Sequence, residues 1–165
     1  MTQSVAKRGR TPESFQADLP FPAMQEGGDL PDFPDKPGIY VLTCAFGGES
    51  NYRLGEILYV GASNSLRRRI AYALAAPGKS APHPAQGPLL KFQAQRGVAK
   101  VIFCLLRDKM PERKLEAVII EEYRKRTGTL PKWNKQLPRG STGDRDMRFV
   151  AEEVLDRLNV QSPSL

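Results

Sequence analysis

Histidine, cysteine and long apolar runs are scarce in this chain of 165 residues. His83 is the only histidine, which argues against chemistries built on paired histidines and zinc. Cys44 and Cys104 lie on separate predicted strands without a CxxC pair, so neither a zinc site nor a disulfide framework is indicated. We expect two buried thiols.

Signals for export or membrane insertion are also missing from the sequence. No apolar run approaches the length of about 18 residues that a spanning helix needs, and no charged region followed by an apolar one opens the chain. We therefore expect a cytoplasmic protein without a membrane partner. The 25 Lys and Arg residues outnumber the 18 Asp and Glu, and the net charge of +7 favours a polyanionic partner such as nucleic acid.

Two short apolar segments, each with one tyrosine, predict a β-hairpin. GIYVL spans residues 38–42 and ILYVG spans residues 57–61, with a polar, Gly-rich insert between them. Because side chains alternate faces along a strand, the phenols of Tyr40 and Tyr59 can line one surface. The alternative is a pair of ordinary strand tyrosines that pack against helices.

A basic helix is expected directly after this hairpin, from about residue 65 to 75, with Ser63 or Asn64 as its cap. Its first turn carries three consecutive arginines, Arg67, Arg68 and Arg69. A helix start beside two tyrosines suits a phosphate.

The second half of the predicted domain adds a short helix at 89–96, a third strand at 98–106 and a helix that begins near Pro111. Glu116 lies between core-facing positions of that last helix, so its carboxylate is expected partly buried beside the sheet. We predict an α/β (α+β) fold in which helices flank a small, mainly antiparallel, three-stranded sheet.

Five features in a fixed order resemble the GIY-YIG nuclease domain family. They are GIY at 38–40, YVG at 59–61, Arg69 ten residues beyond Tyr59, a helical Glu116, and Asn134 in a closing PKWN turn. The resemblance covers about residues 36–137. It implies a GIY-YIG type fold and a divalent-metal-dependent DNA endonuclease that hydrolyses phosphodiester bonds.

The resemblance also implies a role for each matching residue. Tyr40 is the candidate general base or water-orienting group and Tyr59 would hydrogen-bond the phosphate or the nucleophile, although the two could exchange roles. Arg69 would clamp phosphate oxygens. Glu116 would hold Mg²⁺, with Mn²⁺ as a substitute, unless it pairs with an arginine such as Arg69; Glu121 is the second candidate ligand.

The remaining assignments concern support and DNA contact. Structural support is expected from Gly38, Gly61 and Asn134, and flanking DNA contacts from Arg67, Arg68 and Tyr72. His83 lies between two prolines and is expected to be a loop residue without a catalytic role.

Several alternatives stay open at the level of sequence. The enzyme could be of restriction, repair, recombination or mobile-element type, and duplex, single-stranded and branched DNA, or RNA, are not distinguished. A non-catalytic nucleic-acid-binding module with the GIY-YIG fold is the alternative function. Two features keep it open: Ala62 lies where relatives often carry lysine or another polar residue, and the 18 residues between Tyr40 and Tyr59 form a longer insert than the family usually shows. The retention of all five key positions counts against it.

The chain divides into three parts. Residues 1–35 are rich in proline and acid and are expected to form an extended tail, and residues 36–137 form the nuclease-like domain. Residues 138–165 form a linker and an amphipathic helix with Asp144 as a candidate cap. That helix would either fold back on its own domain or form a homodimer contact.

Overall fold

The computed structural model describes residues 15–20, 33–74, 83–106, 110–139 and 143–160. For residues 15–20 and 72–74 it describes the backbone alone. Residues 1–14 and 21–32 of the predicted tail therefore lie outside the described residues.

A four-stranded antiparallel sheet forms the centre of the fold. Its strands are β1 (Phe15–Pro20), β2 (Gly38–Phe46), β3 (Ile57–Ser63) and β4 (Val98–Leu105), in the spatial order β1-β4-β2-β3. The predicted hairpin and third strand are confirmed as β2, β3 and β4, and with the helices they give the expected mixed α/β architecture.

The structure adds a fourth strand to the three predicted ones, because β1 falls within the segment predicted as an extended tail. Phe15 pairs with Cys104 and Pro20 with Lys100 along the outer edge of β4. In the sequence, Phe15, Ala17 and Leu19 alternate with polar residues, a period of two that the surrounding proline and acidic residues obscure. Pairing with β4 satisfies backbone groups that would otherwise form an open edge.

In the part of the chain that the structure describes, four helical segments flank the sheet: a π-helix (Arg67–Leu74), α1 (Gln86–Ala94), α2 (Glu112–Thr127) and α3 (Arg145–Arg157). The basic helix is confirmed in position, but it has the wider π winding, with hydrogen bonds from i to i+5. Helix α1 begins three residues before the predicted start. Asp144 caps α3 as predicted, since its Oδ1 accepts from the Met147 N–H at 2.9 Å.

Two hydrophobic cores lie on opposite faces of the sheet. The first, which we call the tyrosine core, includes Tyr40, Leu42, Tyr59, Leu66, Ile70, Phe92 and Trp133. The second, the helix-pair core, joins the other face to α2 and α3 and includes Ile39, Val41, Val60, Leu115, Ile119, Val150 and Leu155. The apolar stripe of α3 is thus buried against its own domain, as the first of the two predictions for it stated.

The free edge of β3 is covered by the turn at residues 131–134. The Trp133 N–H donates to the Leu58 carbonyl at 2.7 Å. The Asn134 side chain accepts from the Val60 N–H and donates to the Val60 carbonyl, both at 3.0 Å. One amide side chain therefore pairs both backbone groups of a strand residue, as a neighbouring strand would. None of the described helices is long and apolar enough to cross a membrane.

Candidate active site

The two tyrosines share the face of the sheet that carries the tyrosine core. Tyr40 in β2 lies directly opposite Gly61 in β3, and Tyr59 precedes Gly61 by two residues, so both phenols project from the same face. Their ring centroids are 6.0 Å apart. The prediction that the two phenols line one surface is confirmed.

Gly61 provides the space for this pair. A Cβ at Gly61 would lie 2.4 Å from Cζ and Oη of Tyr40 and 2.7 Å from Cε1 of Tyr59. Gly38 is similarly confined, because a Cβ there would lie 2.6 Å from the Cys104 carbonyl oxygen and 2.7 Å from Leu66. The supporting roles predicted for Gly38 and Gly61 therefore have a steric basis.

Arg69 reaches the phenols from the π-helix. Leu66 and Ile70 of this segment are fully buried and fix it against the tyrosine core. Arg69 is half-buried and lies within hydrogen-bonding reach of both Tyr40 and Tyr59. The cap is Ser65, whose Oγ accepts from the Arg68 N–H at 3.2 Å, and neither Ser63 nor Asn64 has this role.

Glu116 comes from α2, on the opposite side of the sheet. Its half-buried carboxylate accepts a hydrogen bond from the backbone N–H of Ala62, near the end of β3. Because β3 is the edge strand, a side chain from α2 can approach the tyrosines around that edge. Burial raises the pKa of Glu116 from 4.5 to about 7, although the charges of Arg69 and Arg113 and the Ala62 hydrogen bond lower it.

His83 also belongs to this cluster, which the sequence interpretation missed. It is buried, its Nε2 lies 2.5 Å from Tyr40 Oη, and its ring centroid is 5.4 Å from that of Tyr59. Burial, and secondarily the charge of Arg69, lowers the pKa of His83 to about 3, so the ring is neutral at physiological pH. The flanking prolines, which restrict the backbone, were the only local signal that this position is fixed.

The two phenols are not equivalent. Tyr40 is 0% exposed and Tyr59 is 6% exposed. Burial raises the pKa of Tyr40 well above its usual value. Burial also raises the pKa of Tyr59, while hydrogen bonds from Tyr40 and Arg69 to Tyr59 lower it. Tyr59 is therefore the phenol closer to solvent.

The residues predicted to contact DNA do not all lie in this cluster. Arg67 Nε donates to the Phe33 carbonyl at 2.8 Å and so ties the start of the π-helix to the segment before β2. Arg68 is exposed and donates to Asn64 Oδ1 at 2.9 Å. The side chain of Tyr72 lies outside the described residues. Glu121, the second candidate ligand, pairs with Arg124 at 3.1 Å.

The long hairpin insert forms one wall of an open cleft of about 580 Å³. Helix α1 and the turn at 131–134 form the other walls, and the lining includes Lys91, Lys132 and Tyr52. Trp133 is buried beside the cleft, where its Nε1–H donates to Tyr52 Oη at 3.1 Å. Trp133 thus packs within the domain.

The chemistry of the cluster suits a hard cation with few protein ligands. Within the described residues, no group of three or more His, Cys, Asp or Glu side chains could hold a metal ion. Among the carboxylates of the described residues, Glu116 is the one that interacts with both Tyr59 and Arg69. Mg²⁺ usually keeps several waters and binds through one or two carboxylates plus substrate phosphate oxygens, so a single partly buried carboxylate fits it.

The structure thus brings together the four residues predicted to be catalytic, each from a different element: Tyr40 from β2, Tyr59 from β3, Arg69 from the π-helix and Glu116 from α2. His83, which was not predicted, joins them through its hydrogen bond to Tyr40. Asn134 supports the strand that carries Tyr59. Comparisons of the chain with protein-family models, with curated proteins and with solved structures found no match.

Proposed function

We propose that the protein is a divalent-metal-dependent endonuclease of the GIY-YIG type that hydrolyses phosphodiester bonds in DNA. The observation that carries the proposal is the convergence of a guanidinium, a carboxylate and two phenols from four separate elements at one strand edge. Such a set matches the needs of phosphodiester hydrolysis, in which charge accumulates on phosphate oxygens and on the leaving oxygen.

Arg69 is the residue that would bind the scissile phosphate. A guanidinium presents several N–H donors in a plane and can hold two phosphate oxygens at once. Its contacts with Tyr40 and Tyr59 hold the side chain at the mouth of the cluster, so little side-chain freedom is lost when a phosphate binds.

Tyr59 is the phenol that would meet the phosphate or the attacking water. Tyr40, the sequence-based candidate for the general base, is completely buried, and its raised pKa keeps it protonated at neutral pH. We therefore propose that Tyr40 supports Tyr59 from within the core, while Tyr59 orients the nucleophile. This exchange of roles was one of the two arrangements that the sequence left open.

Glu116 would hold the divalent cation. The partly buried carboxylate has a pKa of about 7, which indicates that its negative charge is incompletely compensated, and a cation would compensate it. When bound, Mg²⁺ supplies positive charge against the phosphate oxygens and the leaving oxygen. The Ala62 N–H orients the carboxylate toward that position.

The chain is basic enough to attract a polyanion, with a net charge of +7. Arg68 is exposed one residue before Arg69, where it can contact a neighbouring backbone phosphate. The cleft beside the hairpin insert, with Lys91 and Lys132 in its lining, is a second place where flanking DNA could bind.

The experiment that tests the proposal is cleavage of labelled single-stranded, duplex and branched DNA with Mg²⁺ or Mn²⁺. Glu116→Ala and Arg69→Ala should each lower the rate by at least about 10²-fold, the usual effect of removing one charged group from such a site. Glu122→Ala and Arg124→Ala are matched controls on the same helix, where both side chains form ion pairs away from the tyrosines. Binding without metal-dependent cleavage, equal in all variants, would instead indicate a module that only binds DNA.

A further inference from the structure

The hydrogen bonds of His83 determine which of its two ring nitrogens carries the proton. The backbone N–H of Ala85 donates to His83 Nδ1 at 3.0 Å. A ring nitrogen that accepts a hydrogen bond carries no proton, so the proton of the neutral ring lies on Nε2. Nε2 is 2.5 Å from Tyr40 Oη, and the Nε2–H therefore donates to the phenol oxygen.

The direction of that bond fixes the Tyr40 proton in turn. Tyr40 Oη accepts from His83, so its own hydrogen must point to a different acceptor. Tyr40 is 0% exposed, and Arg69, which also hydrogen-bonds to it, has only donors. Tyr59, whose ring centroid lies 6.0 Å away and whose pKa is lowered by a hydrogen bond from Tyr40, provides the acceptor.

We propose that His83 is a positioning residue that sets one direction for the hydrogen bonds from Ala85 through Tyr40 to Tyr59, so that the Tyr59 hydroxyl hydrogen points out of the core toward the substrate. The inference rests on the proposed nuclease function for its catalytic consequence. Without the His83 donor, the chain can reverse: Tyr59 can then donate inward to Tyr40, and its hydroxyl no longer meets the phosphate or the water.

Three substitutions separate hydrogen-bond donation from simple filling of space. His83→Gln retains an N–H donor near the position of Nε2, His83→Asn places its amide near Nδ1 and does not reach Tyr40, and His83→Phe fills the volume without a donor. All three variants lose or alter the Nδ1 acceptor for the Ala85 N–H. The His83→Gln variant therefore differs from the other two in retaining a donor to Tyr40. Thermal denaturation of each variant identifies those that are folded.

The expected result is a loss in kcat with little change in KM. His83→Phe and His83→Asn should lower kcat about tenfold, the change that corresponds to one hydrogen bond of ordinary strength. His83→Gln should recover most of that loss. Equal kcat values for folded Gln and Phe variants would overturn the inference, because filling of space would then explain the role of His83.

A second measurement does not depend on cleavage. His83 is the only histidine, so its ring ¹⁵N signals need no assignment among several residues. Long-range ¹H–¹⁵N correlation spectra of the metal-free protein should show the proton on Nε2, and Tyr40→Phe should shift that proton signal. A proton on Nδ1 would overturn the inference even if the protein cuts DNA. Absence of cleavage by the unsubstituted protein would overturn the proposed nuclease function. The effect of His83 on kcat would fall with it, whatever the spectra show.

Discussion

Substitution of Gly61 by alanine tests the packing on which the candidate site depends. The added Cβ would lie 2.4 Å from Tyr40 Cζ and Oη and 2.7 Å from Tyr59 Cε1. Neither ring can move away freely, because Tyr40 is completely buried and its hydroxyl is bonded to His83 at 2.5 Å. Relief of the overlap therefore requires displacement of the Tyr40 ring or separation of β2 from β3.

The magnitude follows from two contributions. Overpacking of a filled core costs about 1–3 kcal/mol. Displacement of Tyr40 also weakens its hydrogen bond to His83, which adds about 1 kcal/mol. We expect the free energy of unfolding to fall by about 2–4 kcal/mol and Tm to fall by roughly 5–15 °C. Cleavage should fall as well, since the phenols and Arg69 lose their alignment.

Thermal and urea denaturation measure this change, with Gly87→Ala as the matched control. Gly87 lies in α1, and apart from its chain neighbours a Cβ there would meet no atom within 4 Å. Alanine favours a helix over glycine, but Pro88 follows and disfavours the helical conformation for a residue with a Cβ, so we expect Gly87→Ala to change the free energy of unfolding by less than about 1 kcal/mol. If Gly61→Ala were as stable as Gly87→Ala, the steric account of the tyrosine pair would be refuted.

Three further predictions follow from the cluster and its support. The pKa of Glu116 is about 7 in the folded protein and near 4.5 when unfolded, so its ionisation destabilises the fold as pH rises through this interval. Glu116→Gln should therefore raise the Tm of the metal-free protein by several degrees at about pH 8, and it should have no such effect below about pH 4.5. At about pH 8, Mg²⁺ should raise the Tm of the unsubstituted protein but not that of the variant. Asn134→Ala leaves both backbone groups of Val60 without their partner, so urea denaturation should show a loss of about 2–4 kcal/mol. Asn134→Asp places a second acceptor against the Val60 carbonyl and should lose at least as much; a loss near zero for either variant would contradict the pairing. Arg68→Ala should weaken DNA binding and reduce the slope of log K against log[salt] by about 1. Arg67→Ala should mainly lower Tm, because Arg67 binds the Phe33 carbonyl. Weaker DNA binding by Arg67→Ala and unchanged binding by Arg68→Ala would contradict these roles.

The sequence predicted the parts of the fold that local patterns determine. Alternation of apolar residues located β2 and β3, and helical spacing placed Glu116 between the buried residues Leu115 and Ile119. The order of Tyr40, Tyr59, Arg69 and Glu116 along the chain then gave a set of residues that the fold brings together. Periodicity located the strands and the helix that carry these residues, whereas their selection as a site came from the resemblance to the GIY-YIG family.

Contacts between distant segments could not be predicted in the same way. His83 lies 43 residues from Tyr40, and nothing in its neighbourhood indicates that this loop returns to the tyrosines. The pairing of Phe15–Pro20 with β4 likewise depends on the edge that β4 leaves open, which is a property of the assembled sheet. Burial alone distinguishes Tyr40 from Tyr59, and burial is decided by the whole structure.

The placement of the site across two cores links activity to completion of folding. Tyr40, Tyr59 and His83 depend on the tyrosine core, whereas Glu116 depends on the helix-pair core on the other face of the sheet. A chain in which only one core has packed holds either the phenols or the carboxylate in place, but not both. A partly folded chain would therefore lack nuclease activity during synthesis, because the activity proposed for this protein would arise only in the fully folded molecule.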